Sequence, residues 1–157
     1  MINDRLPRML VAHADHCVSC GRCTLACSFQ KSNTFNPAKS RIKIIRAEPN
    51  VDVPVICIHC GLCIPACPTE AITRNRRTGA VVVNEERCNG CGQCIPACPY
   101  GVITIDPDTI KVIKCDLCDG SPACVQACNF KALSFEKRNN AVYFRQLETA
   151  FRITRRL

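Results

Sequence analysis

Tryptophan is missing from this chain, tyrosine occurs twice, and aromatic residues together make up only 5% of the sequence. Large rings supply much of the buried area of an ordinary core, so a conventional core of any size is not expected in 157 residues. Long apolar runs are also missing, and no stretch approaches the roughly eighteen apolar residues of a membrane span. The segment 1–16 carries Asn3, Asp4, Arg5 and Arg8, and its only apolar run, 9–12, is too short for a signal h-region. Export is therefore not expected. Nor do any residues form a nucleophile–base constellation, a phosphate loop or a dinucleotide fingerprint, which argues against a site that transforms a substrate.

What the chain has in abundance is cysteine, sixteen residues in four similarly spelled groups. The inner two are Cys57-Ile-His-Cys60-Gly-Leu-Cys63-Ile-Pro-Ala-Cys67-Pro68 and Cys88-Asn-Gly-Cys91-Gly-Gln-Cys94-Ile-Pro-Ala-Cys98-Pro99. Both spell C-x2-C-x2-C-x3-C-P, the run that holds cubane [4Fe–4S] clusters. The outer two are Cys17-Val-Ser-Cys20-Gly-Arg-Cys23-Thr-Leu-Ala-Cys27 and Cys115-Asp-Leu-Cys118-Asp-Gly-Ser-Pro-Ala-Cys124-Val-Gln-Ala-Cys128. Ala26, Ala66, Ala97 and Ala127 precede the fourth cysteines, where a small side chain lets the backbone approach a cube. Gly21, Gly61 and Gly92 follow the second cysteines, where unusual dihedrals are expected.

Three other readings compete for these cysteines. Zinc sites of four cysteines join two separated C-x2-C pairs, whereas a third cysteine packed so closely marks a cubane. Only the fourth group, C-x2-C-x5-C-x3-C, would suit zinc in isolation. A disulfide framework belongs to exported chains, so a reducing cytoplasm is the expected location. A radical-SAM cluster needs C-x3-C-x2-C, which is absent.

The formal charge of +8 counts every cysteine as neutral. If each oxidised cubane with its four thiolates carries roughly −2, four contribute about −8 and the loaded chain is near neutral. With no aromatic–basic interleaving, nucleic-acid binding is not expected. Clusters would also supply folding free energy that the small core cannot.

In two-cluster ferredoxins the fourth cysteine of each run ligates the other cluster. Residues 57–99 have the spacing and both prolines of such a unit. One set is then Cys57, Cys60, Cys63 and Cys98, and another is Cys88, Cys91, Cys94 and Cys67. The outer groups must complete one another: Cys17, Cys20, Cys23 with Cys128, and Cys115, Cys118, Cys124 with Cys27. A rival wiring pairs the first group with the second and the third with the fourth.

The expected fold class is α+β, with nested bacterial 2[4Fe–4S] ferredoxin-like modules built from short helices and β-hairpins, plus a C-terminal helix. The outer module spans 1–48 and 109–145, the inserted inner module 49–108, and the helix 146–157. Three hairpins are expected, from apolar residues at 71–72, 102–103 and 132–133 to 80–83, 110–113 and 141–144. Short helical turns are expected over 64–67 and its counterparts, irregular chain over 28–36, a strand at 41–46 and a Pro-punctuated connection over 49–54. Leu147, Ala150, Phe151 and Thr154 give the tail an amphipathic face, suited to the core, a partner or a second copy. His13 and His16 are expected at the surface. His59 is expected to face solvent or make a peripheral bond, with a hydrogen bond to a cluster as the alternative.

The order of groups, Cys57-Ile-His-Cys60, Cys94-Ile-Pro-Ala-Cys98-Pro99-Tyr100-Gly101 and Lys114-Cys115-Asp-Leu-Cys118 resemble the four-cluster dimethyl-sulfoxide-reductase B-subunit family. With Asn36-Pro37-Ala-Lys-Ser40-Arg41-Ile42 after the first group, the chain is most similar to small iron–sulfur subunits of tungsten aldehyde oxidoreductase-type complexes. Ser28 and Asn129 depart from the proline usual after a fourth cysteine, and the longer insertions of larger members in the second and fourth groups are missing. The resemblance implies a pseudo-twofold pair of modules with the nested ligation and four [4Fe–4S] clusters. It implies a non-catalytic relay between a large tungsten- or molybdenum-pterin subunit and a ferredoxin or a flavin- or NAD-reducing partner. Alternatives are a free polyferredoxin serving several enzymes and a zinc-rich structural protein.

Overall fold

The computed structural model describes residues 7–47 and 51–137. Ten short elements follow one another there: β1 (Arg8–Ala12), α1 (Arg22–Ser32), β2 (Lys43–Ala47), β3 (Val51–Val55), β4 (Ile72–Arg74), β5 (Val81–Val83), β6 (Thr104–Ile105), β7 (Val112–Ile113), α2 (Ala123–Gln126) and β8 (Leu133–Lys137). The strands form antiparallel pairs, β1 with β8, β2 with β3, β4 with β5 and β6 with β7. No helix among the described residues is long and apolar enough to cross a membrane.

Side-chain oxygens build the two inner hairpins that the turn residues predict. Between β4 and β5, Asn75 Oδ1 accepts from the amides of Arg77 at 2.8 Å and Thr78 at 3.3 Å. Between β6 and β7, Asp106 Oδ1 accepts from Asp108 at 2.9 Å and Thr109 at 3.1 Å. Such bonds reverse the chain without borrowing from the ladder. Burial works to raise the Asp106 carboxyl, but the two amides, with Lys39 nearby, hold it below the usual carboxylate range. Its stabilisation is thus full above the ordinary carboxyl value and is lost as pH falls through the lower folded value. Asp106→Ala is expected to cost about 2 kcal/mol at pH 7. Thermal unfolding of the loaded protein checks this, and the difference from the parent should hold down to about pH 4 and shrink only below it, where the unfolded carboxyl is already protonated.

Leu133 opens β8, which pairs with β1, from Ala12 opposite Leu133 to Arg8 opposite Lys137, a pairing that the spacing of apolar runs does not predict. Its expected partner, 141–144, lies outside the described residues, as does the tail helix at 146–157. The driving force is burial: Met9 and Leu10 on β1 and Leu133 on β8 are 4% exposed or less. The apolar run at 9–12 thus serves to bring β1 beside the strand that follows the fourth cysteine group.

The Pro-punctuated connection is corrected, because Val51–Val55 is a strand, with Pro54 opposite Ile44 of β2. A two-stranded ladder has only edges, where a proline's missing N–H costs little. Residues 28–36 are likewise more regular than expected, since α1 runs on to Ser32. Pro68 and Pro99 disfavour helical backbone at Cys67 and Cys98, whereas Ser28 leaves Cys27 free to continue the helix. Ser28 is fully buried and its Oγ donates to the Leu25 carbonyl at 3.0 Å. Asn33, left-handed at φ 53°, closes the helix by donating its amide to Phe29 O at 2.8 Å.

Two cores result. One packs Leu10, Ile42, Ile56, Leu117 and Leu133 with Cys23, Cys27 and Cys124. The other packs Ile72, Val81, Ile103 and Val112 with Cys63 and Cys94. Cysteine is therefore a core residue throughout.

Candidate metal centres

Each cysteine group is shaped by left-handed backbone on both sides of its second cysteine. Ser19, His59, Gly90 and Leu117 precede it, and Gly21, Gly61, Gly92 and Asp119 follow it, all with φ between 51° and 96°. The three glycines are as expected, but the preceding position carries no compositional signal, because three of its four residues have side chains that rarely adopt this region. Gly90 shows why one cannot: a Cβ there would lie 2.4 Å from Ile110 O. The turns that follow also repeat. Cys67 N donates to Ile64 O at 3.2 Å, Cys98 N to Ile95 O at 3.1 Å and Cys128 N to Val125 O at 3.1 Å.

This geometry gathers cysteines from distant groups. Cys17, Cys20 and Cys23 line one cavity together with Cys128, walled by Val18, Ile44, Phe130 and Leu133. Cys115, Cys118 and Cys124 line a second together with Cys27, and Cys57 also reaches it. Cys57, Cys60 and Cys63 line a third together with Cys98. Their empty spaces, mouths included, are about 330, 370 and 290 Å³, so the three are alike in size. Cys94 is crowded by Cys67 and Cys88, and Cys91 of the same group is exposed. Among the described residues no three or more His, Cys, Asp or Glu side chains form a group that could hold a single metal ion.

The surroundings suit thiolates bound to iron. Arg41 N donates to Cys27 Sγ at 3.3 Å, and His59 N to Cys57 Sγ at 3.4 Å. Burial works against ionising Cys67, yet the Thr69 hydroxyl and the amides of Ala71, Thr69 and Ile72 hold its thiol below the ordinary value. Elsewhere burial wins. It pushes Cys94 up to about 11 and Cys124 up to about 12, with neighbouring cysteines adding to the effect. A bare thiolate is disfavoured at such positions, and a cationic cluster would supply the missing positive charge.

Lys114 supplies another cation. It is 3% exposed, lines the cavity of Cys57, Cys60, Cys63 and Cys98, and donates from Nζ to Val81 O and, at 3.1 Å, to Cys115 O. The outer side is tied by Asp116, whose Oδ2 meets Lys31 Nζ at 2.6 Å and Arg41 Nη1 at 3.0 Å.

His59 corrects the expectation of a solvent-facing ring, being 5% exposed. Burial, with Lys114 and Arg74 nearby, pushes its imidazole down to about 3, so it is neutral. A histidine locked between two cysteines gives no sequence sign of whether it points in or out. His16 is exposed as expected, while His13 is half-buried against Ser134 at 3.1 Å.

Cysteine-lined cavities held by short antiparallel ladders are the arrangement of a ferredoxin-type iron–sulfur protein, an accessory of electron transfer. Residues 51–138 match a 4Fe-4S dicluster domain family, and 16–72 match a second family of the same description. The chain belongs to the 4Fe-4S dicluster domain family. It is 42% identical over 117 residues to the polyferredoxin-like subunit of aliphatic sulfonate oxidoreductase from Pyrococcus furiosus, covering 73% of this chain and 68% of that one. It is 40% identical to the protein NrfC of Escherichia coli K12, covering 76% of this chain and 60% of that one. Among solved structures it is similar to a chain of the active site complex BamBC of benzoyl coenzyme A reductase, with TM-score 0.52, 25% identity and coverage of 92% and 90%.

Proposed function

We propose that the chain is a four-cluster electron relay. Its clusters are [4Fe–4S] cubanes held by Cys17, Cys20, Cys23 and Cys128; by Cys115, Cys118, Cys124 and Cys27; by Cys57, Cys60, Cys63 and Cys98; and by Cys88, Cys91, Cys94 and Cys67. The modules nest, with 49–108 inserted between 1–48 and 109–145. The observation that carries this reading is the position of Cys57, which lines its own cavity and also that of Cys115. One residue thus borders the inner and outer modules, and electrons have a continuous route between them. Cys20, Cys60 and Cys91 are exposed, so that route approaches the surface at more than one place.

The cubane supplies one-electron chemistry when bound. The chain holds spacing fixed, excludes water with Ile44, Leu133, Val81 and Ile103, and sets local charge through Lys114. Its partners in this reading are a large catalytic subunit, of tungsten- or molybdenum-pterin type, and a ferredoxin or a flavin- or NAD-reducing protein in the cytoplasm. The names of the Pyrococcus and BamBC relatives, both belonging to oxidoreductase complexes, support a place beside a catalytic subunit. The family resemblance suggests the aldehyde oxidoreductase type.

Anaerobic isolation tests the whole reading. About sixteen irons and sixteen labile sulfides per chain are expected, four of each per cluster. A pterin-bearing large subunit should be retained with it. A colourless protein with zinc and no sulfide would overturn the relay, and a loaded chain purified alone would favour a free polyferredoxin.

A further inference from the structure

Val81 of β5 binds two side chains that line the same cavity. Its amide donates to His59 Nδ1 at 2.9 Å and its carbonyl accepts from Lys114 Nζ. An imidazole nitrogen that accepts a hydrogen bond carries no proton, so the ring hydrogen resides on Nε2. Nε2 is buried and has no partner among the described protein atoms. Leaving a buried N–H unpaired is costly, and native structures rarely do so without a ligand or water to receive it. The ring cannot turn away without breaking the Val81 bond. Arg74 Nη2 also holds the backbone, donating to His59 O at 3.0 Å where φ is 57°. The residue lines the cavity of Cys57, Cys60, Cys63 and Cys98.

We infer that His59 Nε2–H is a built-in hydrogen-bond donor to a sulfur of the cluster in this cavity, which makes His59 a residue that sets that cluster's potential. The inference rests on the reading that these four cysteines hold a [4Fe–4S] cluster. A donor favours the reduced cluster, which carries one more negative charge, so its presence raises the potential. The first-coordination cysteines are thus supported from behind by β5, as metal ligands commonly are.

The test uses loaded protein labelled with [15N]histidine, reduced in steps and read by pulsed electron paramagnetic resonance. One cluster signal should show a histidine nitrogen coupling. The coupling should vanish in His59→Leu, and the potential of that signal alone should fall by about tenfold in the reduction constant, ~59 mV for one electron. Should His59→Leu fail to load, the label can be confined by His13→Gln with His16→Gln, and a coupling that persists belongs to His59. A loaded cluster with no nitrogen coupling, or a potential unchanged in His59→Leu, overturns the inference. Iron and sulfide counts short by one cluster, with the cluster of Cys57 missing, would instead overturn the reading beneath it.

Discussion

Cys128→Ser is expected to remove the cluster of Cys17, Cys20 and Cys23, near the other end of the chain. Iron should fall by about a quarter, and the signal of one cubane should disappear. Four features make this the expected target. Cys128 lines the cavity of that set; it sits close enough to raise the Cys23 thiol, behind burial itself; the turn from Val125 fixes its backbone; and β8, just beyond it, pairs with β1, just before Cys17. Serine keeps the shape but is a poor ligand to iron. The reciprocal variant, Cys27→Ser, should strike the set of Cys115, Cys118 and Cys124, whose cavity Cys27 lines. If Cys128→Ser leaves the Cys17 set intact and alters the Cys115 set instead, the nested wiring is wrong and each outer group completes itself differently. Iron analysis with spectroscopy of both variants decides this.

Local features of the fold were legible because local chemistry determines them. The cysteine spacing, the glycines after the second cysteines and the turn residues Asn75 and Asp106 each act within a few residues. The pairing of β1 with β8 was not legible, because strands separated by nearly the whole described chain carry no mark of their register. Pro54 concealed β3, since a proline counts against a strand unless the strand is known to be an edge. The continuation of α1 depends on what is missing after Cys27, a proline, and on the burial of Ser28, which only tertiary packing imposes. His59 and Lys114 were opaque for the same reason. A polar residue beside a ligand reads as solvated until a backbone partner such as Val81 draws it inside.

Extraction of iron by a chelator under reducing conditions is expected to unfold the chain. The described hairpins are two to five residues per strand, and each is a two-stranded pair, a form with little stability of its own. The cores gather around cysteines, Cys23, Cys27 and Cys124 in one and Cys63 and Cys94 in the other. Without clusters these side chains would surround empty space, and such cavities are destabilising. Metal-coupled folding in small domains is worth on the order of 10 kcal/mol, as large as the net stability of a typical domain. Far-ultraviolet circular dichroism should therefore lose its ladder signal as iron leaves, and cooperative thermal unfolding should vanish. Any residual fold has a set pH response. Burial holds Cys94 near 11 and Cys124 near 12 in the folded chain, above the ordinary thiol. Such groups support folding below the unfolded thiol's value and withdraw that support as pH rises towards the folded one. Stripped protein should thus weaken further above about pH 8.5, where the unfolded chain ionises first. Stripped protein that still unfolds cooperatively, within about 2 kcal/mol of the loaded form, would show that the chain and not its clusters holds the fold.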